Sequence, residues 1–409
     1  MTDPAPRSHR TVDDLDHDEL ATLVREHLLA GHLIDRAGMP TVIPHGLDVM
    51  RDIAIDEWMG ASPVYTKRMQ RLLNFVGDTV ETVFKGMQLD VGAPPEFLDF
   101  RYTVIDDHHG EFHLDHCGAL MDVEPMGDDY VRAMCHDIED PTFDATGWAT
   151  NPRVQVRPVH RPPRVPADRQ PHCAWTVSIS DDNEARPEPE RAVRIAATLA
   201  AQLPIASHPD QPSNDGLADY SGPLDADLQV REFCTATLRG LLDEVCLQGH
   251  LLVLSFLMAV EDRFGTEAAV AAGSKQFAGV AGVAADRLRL AFGLGDSLDD
   301  VATVFELHPA FHPRGYVALE VSREPGALLV ALGDAPALQE TGFESWMSIL
   351  ADGHDRSVVA IARAVNPRAV VEAVSPRVWR VSVGHDTHPE LDEVLLTRFS
   401  TGAAFEFRR

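Results

Sequence analysis

The chain has 409 residues, 44% hydrophobic and 24% charged, a composition that fills a sizeable core and excludes a disordered chain. Thirty-five Lys and Arg stand against 64 Asp and Glu, a formal net charge of −29 that repels phosphate backbones and anionic lipid. Neither nucleic acid nor a membrane is therefore an expected partner, and at about 100–200 residues per domain the length predicts two domains.

Residues 1–20 have no apolar run of the length an export signal needs; they are expected to form a disordered arm on a cytoplasmic protein with reduced thiols. Residues 45–88 show helical apolar spacing. Residues 96–117 then alternate as two strands joined by a turn at Asp107 to Gly110. A short helix is predicted over 128–138, followed by strands at 152–162 and 172–180 around a Pro-rich loop. An amphipathic helix over about 190–203 leads into a Pro, Ser, Asp and Gly-rich linker at 206–222. The same order then recurs: helices over 226–292, strands at 301–309 and 316–322, a helix at 342–355, and strands at 356–365 and 377–386. The longest apolar run, 251–260, is too short to span a bilayer and reads as a buried helix.

Short identities reinforce the repeat. Trp175-Thr-Val-Ser-Ile answers Trp379-Arg-Val-Ser-Val, Gly118-Ala-Leu answers Gly326-Ala-Leu, and Asp137 falls opposite Asp352 or Asp355. The expected fold is α/β of the α+β kind, with two tandem homologous half-domains, each made of helices and a mainly antiparallel sheet of two hairpins. Residues 21–205 form the site-bearing half and 223–409 a degenerate second copy. Such a duplication makes a monomer with an internal pseudo-dimer natural, with a homodimer as the alternative.

The halves differ in sulfur. Opposite Cys117 stands Ser322 or Pro325, opposite Cys135 stands Leu350 or Gly353, and opposite Cys173 stands Arg377. Core filler would serve both copies equally, so the one-sided thiols point to one working half. Each is flanked by a histidine: His116-Cys117, Cys135-His136 and His172-Cys173. Thiolate with imidazole suits zinc or iron, and the ligand set expected is Cys117, Cys135, Cys173 and His116. On a strand alternate residues share a face, which would set His113 beside Cys117. Asp137, His136 and His113 are the candidates for moving protons. Trp58 and Tyr65 sit on helices that could cover the strand face, and Arg157, in a basic run, could hold a carboxylate. Buried structural thiols and a metal-free cysteine nucleophile remain open alternatives.

Cys117, Cys135-His-Asp137 and Cys173-Ala-Trp together resemble the L-2-amino-thiazoline-4-carboxylic acid hydrolase family, and the wider group of 4-vinyl reductase-like domains. The likeness covers about residues 45–180, with Gly118 where the family usually has proline and Ala174 in place of an acidic residue. It implies a hydrolase that opens a small amidine-like or thioimidate-like ring, with the cysteines and Asp137 at the site. The expected function is thus a metal-dependent small-molecule hydrolase, with a non-catalytic metal or ligand carrier, or a metal-free cysteine enzyme, as alternatives.

Overall fold

The computed structural model describes residues 9–206 and 215–400. The first half opens with two long helices, α1 (His17–Val42) and α2 (Leu47–Leu72), then a short α3 (Val80–Gln88) and a hairpin of β1 (Leu98–Asp106) and β2 (His109–Cys117). Short helices follow, α4 (Gly118–Val123) and α5 (Asp128–Arg132), then a π-helical turn over Ala133–Ile138 that runs into α6 (Glu139–Trp148). A second hairpin, β3 (Val154–His160) and β4 (Cys173–Ile179), and α7 (Glu190–Ala196) complete it.

The second half repeats this with α8 (Thr235–Phe264), α9 (Thr266–Ala291), α10 (Leu298–Leu307), β5 (Leu319–Glu324), β6 (Ala327–Leu332), α11 (Trp346–Ala351), α12 (Arg356–Val365), β7 (Ala369–Ser375), β8 (Val378–Val383) and α13 (Asp392–Ser400). Both sheets are antiparallel, ordered β1-β2-β4-β3 and β5-β6-β8-β7. The fold is α+β with two homologous halves, each a helical layer and one sheet of two hairpins.

Two segments expected as strands are helices. Residues 301–307 of the first belong to α10, because Ser297 and Asp300 form a capping box and Val301, Val304 and Phe305 bury at helical spacing. Residues 356–365 are α12, where Val358, Ile361, Ala362 and Val365 form one buried stripe. Both are rich in β-branched residues, but the period of the apolar positions outweighs that propensity. The expected arm is also largely folded. Residues 1–8 lie outside the described residues, whereas Asp16 caps α1 through a capping box with Glu19, and Leu15 and Leu20 are buried. Of the expected linker, 207–214 lie outside the described residues, and Tyr220 packs edge-on to Phe75.

Structural equivalences replace part of the sequence pairing. Trp175 lies opposite Phe112 and Trp379 opposite Val330, so the tryptophans do correspond. The Gly-Ala-Leu pair does not: Gly326 is in the β5–β6 turn, while Gly118 starts α4. The amide of Gly118 donates to Phe97 O as that of Ala337 does to Tyr316 O, which sets Cys117 against Pro336. Deeper identities emerge on the long helices. Glu26-x-x-Leu29-x-Gly31-His32-Leu33 on α1 matches Glu244-x-x-Leu247-x-Gly249-His250-Leu251 on α8. At the ends of α2 and α9, Asn74 and Gly293 take matching left-handed conformations (φ 55° and 60°), which aligns Arg68 with Arg287 and Glu57 with Gln276.

These equivalences reveal a pseudo-two-fold. Arg68 grips buried Glu244 with two hydrogen bonds of 2.8 and 2.6 Å, and Arg287 reaches Glu26 at 2.9 Å. Each pair crosses between halves, as residues i and j exchange across an isologous dimer interface. The helix α8 is long and apolar enough to cross a membrane, yet 89% of its apolar window is buried between the other long helices.

The two sheets meet this helical centre differently. Val321, Leu328, Val330 and Trp379 of the second sheet join one continuous core with α1, α2, α8 and α9. Phe100, Phe112, Leu114, Trp175 and the thiols of the first half form a separate cluster. The gap between that cluster and α1 and α2 is the cavity described next.

Candidate functional site

The cavity offers about 120 Å³ and is walled by α1, α2, the first sheet and the helices after β2. Cys117, Cys135 and Cys173 all line it, with His172 and Glu139. Local structure explains the convergence. Alternation along β2 buries Phe112 and Leu114 on the inner face, and a register shift at Asp115 breaks the alternation so that Cys117 also turns inward. Leu114 pairs with Cys173, which brings the head of β4 alongside. The π-helical turn, a distortion often found at functional sites, directs Cys135 inward and leaves Asp137 exposed.

At the opposite wall stand His32, Asp35, Trp58 and Asp90. The indole Nε1 of Trp58 donates to Asp35 at 3.0 Å, and the Tyr65 hydroxyl donates to both oxygens of Asp90 at 2.9 Å. Trp58 fits because Gly92 has no side chain: a Cβ there would stand 2.4 Å from the ring. Gly118 is equally constrained, since a Cβ would fall 2.1 Å from the Phe97 ring. A proline at that position would also lack the amide that bonds Phe97 O at 2.7 Å.

Burial governs the electrostatics. Loss of water pushes the Cys117 and Cys135 thiols well above their ordinary range and Cys173 up to about 12, with neighbouring thiols and Glu139 adding to the rise. The Cys117 Sγ accepts from the Leu120 amide at 3.3 Å, a contact that favours thiolate but does not offset burial. Desolvation raises Glu139 to about 8 and lowers His172 to about 4. Near neutrality the chamber therefore holds neutral thiols, a neutral imidazole and a largely protonated carboxylic acid.

Of the residues expected from sequence, the three cysteines and Trp58 line the cavity, and Tyr65 stands one layer behind it on Asp90. The others lie elsewhere. His113 is on the outer sheet face, 3.4 Å from Asp115, because strand alternation sets it with Glu111 and Asp115 and leaves Cys117 at the inward-turning strand end. His116 also falls outside the cavity lining, its ring 6.0 Å from that of His172, which takes the wall position instead. His136 bonds Pro162 O at 2.6 Å and so holds the loop that closes the chamber. Asp137 is half exposed near Arg51, 3.6 Å away. Arg157 pairs with Asp144 at 3.0 Å, and Arg164 and Arg161 pair with Glu124 and Asp140, so the basic run neutralises acids. Among the described residues no three His, Cys, Asp or Glu side chains gather as a metal ion requires. The donor set does not fit the four-ligand centre expected from sequence, and no step below is routed through a metal.

Sequence reading missed Asp35, Glu57, Asp90 and Glu139. The internal comparison carries the signal: Asp35 aligns with Val253 and Glu57 with Gln276, so the second copy replaces these acids as it replaces the thiols. No family model matches this chain, and no similar curated protein or solved structure was found.

Proposed function

We propose that the first half is a small-molecule hydrolase whose reaction chamber is the cavity between the first sheet and α1 and α2. The observation supporting this most is that three thiols and Asp35, all replaced in the second copy, converge on one chamber, whereas the second sheet joins the helical centre in one continuous core. Its volume of about 120 Å³ is close to that of engineered cavities of about 150 Å³ that take up benzene, so the substrate is a compact ring. The fitting chemistry is addition of water to an electrophilic carbon–nitrogen or thioimidate carbon, as the family resemblance implies. Glu139, neutral near pH 7, donates its proton to the substrate heteroatom as the carbon–oxygen bond forms. The protonated thiols supply a polarisable wall and lack the thiolate a cysteine nucleophile needs.

The test is a panel of cyclic amidines and thioimidates, scored for turnover and for protection of Cys117, Cys135 and Cys173 from alkylation. Glu139→Gln is expected to keep protection and lose about 10²–10⁴-fold in turnover. Protection without turnover across the panel would make the chamber a carrier site, and neither effect would end the reading.

A further inference from the structure

The chamber has a second acid, at the wall opposite the thiols. Asp35 lines it, and Glu57, fully buried on α2, meets Asp35 carboxyl to carboxyl. Beyond that mutual contact, neither Glu57 oxygen nor Asp35 Oδ1 has a hydrogen-bond partner among the described residues. Two acceptor-only carboxylates cannot share such a contact, so one must carry a proton. The surrounding charges agree: His32 and Arg36 flank from α1, Asp90 and Tyr65 face from the far side, and the Arg36 guanidinium pairs with Asp122. Trp58 Nε1 donates to Asp35 Oδ2, which favours Asp35 as the ionised member and leaves Glu57 as the donor.

Two independent observations point to a ligand here. His172, 5% exposed and facing the same chamber from the thiol wall, has a buried Nδ1 without a partner among the described residues. In the second copy, Gln276 at the position of Glu57 is satisfied, donating to Ile34 O at 3.3 Å and accepting from Trp346 at 3.1 Å, with Val253 in place of Asp35. The first copy leaves open what the second closes.

Resting on the hydrolase reading, we propose that Asp35, hydrogen-bonded by protonated Glu57, is the general base that activates the attacking water, with Glu57 as its positioning residue. Asp35 takes one proton from water as the oxygen bonds the substrate carbon, and the carbon–nitrogen π pair moves to nitrogen, which takes the Glu139 proton. When the adduct collapses, its hydroxyl proton returns to Glu139 and the departing heteroatom takes the proton from Asp35, restoring both acids.

Two measurements on the full chain test this. Infrared carbonyl difference spectra at neutral pH should show Glu57→Gln removing a protonated-carboxyl component distinct from the one Glu139→Gln removes; a carboxyl region unchanged by Glu57→Gln overturns the shared proton whether or not any substrate is known. With a turned-over thioimidate, Asp35→Asn should lose about 10²–10⁴-fold while still protecting Cys117 from alkylation. Glu57→Gln should retain partial activity with a shifted acid limb in its pH–rate profile. Wild-type turnover in Asp35→Asn, or an unshifted profile in Glu57→Gln, overturns the assignment. Absence of turnover in the wild type counts against the hydrolase reading, while the infrared result still decides the dyad.

Discussion

Cys135 shows how a single side chain separates stability from function. Its counterpart in the uninterrupted numbering from Asn151 and Asn366, whose carbonyls accept from the first amides of β3 and β7, is Leu350, which is fully buried in the central core. Cys135→Leu therefore adds apolar volume where the first half keeps a gap. The expected outcome is a gain of about 0.5–2 kcal/mol, read as a higher melting temperature. Ligand protection of Cys117 and Cys173 should be lost at the same time. A stabilised variant that still takes up ligand would show that Cys135 is only packing. The three thiols were legible in the sequence because the second copy lacks them. Glu139 was not, because a carboxylate in an acidic chain carries no sign of where it points until the helix that bears it is placed.

At the level of elements, the exchange of Arg68–Glu244 for Glu26–Arg287 fixes how the helical hairpins cross. Removing one partner of a buried pair strands a charge, so Glu244→Gln is expected to cost about 3–5 kcal/mol in chemical denaturation. Glu26→Gln should cost less, since Arg287 keeps 24% of its side chain in solvent against 6% for Arg68. Equal costs would argue against the desolvation account. Element type followed the period of buried positions: β1 to β4 form where expected, with Cys117 out of phase at the end of β2, whereas 301–307 and 356–365 are helical despite their β-branched content. The loop at 161–172 carries no signal of period, and the helix predicted over 128–138 does not disclose the π-helical turn within it; the loop helps close the chamber and the turn aims Cys135.

The whole molecule titrates through its buried groups. Glu139 is raised to about 8 by burial, so between its ordinary range near 4.5 and that value the native state holds a proton the unfolded chain has lost. Stability contributed by the neutral form is thus present at low pH and falls as pH rises through the window. The buried histidines run oppositely. His27 is lowered to about 3 and His250 and His308 to about 4 by desolvation, so the unfolded chain binds more protons below about 6.5. The two sets oppose each other below about 6.5, and from there to about 8 Glu139 and Asp122, which burial raises to about 7, act without opposition from these histidines. Melting temperature should fall across that upper window and do so less steeply in Glu139→Gln; an unchanged slope would place the titration elsewhere.

By itself the sequence determined that the chain is a globular, duplicated α+β protein with one copy chemically richer than the other. Composition, periodicity and internal identity are local properties, and they survive without coordinates. Only tertiary structure decided which inward faces met. The register of β4 against β2 joined Cys173 to Cys117, strand alternation turned His113 outward, and the crossing of α1 and α2 over a separate sheet core left a chamber with Asp35 on its wall. Those are distances between residues far apart in the chain, set by packing, and no short stretch of sequence contains them.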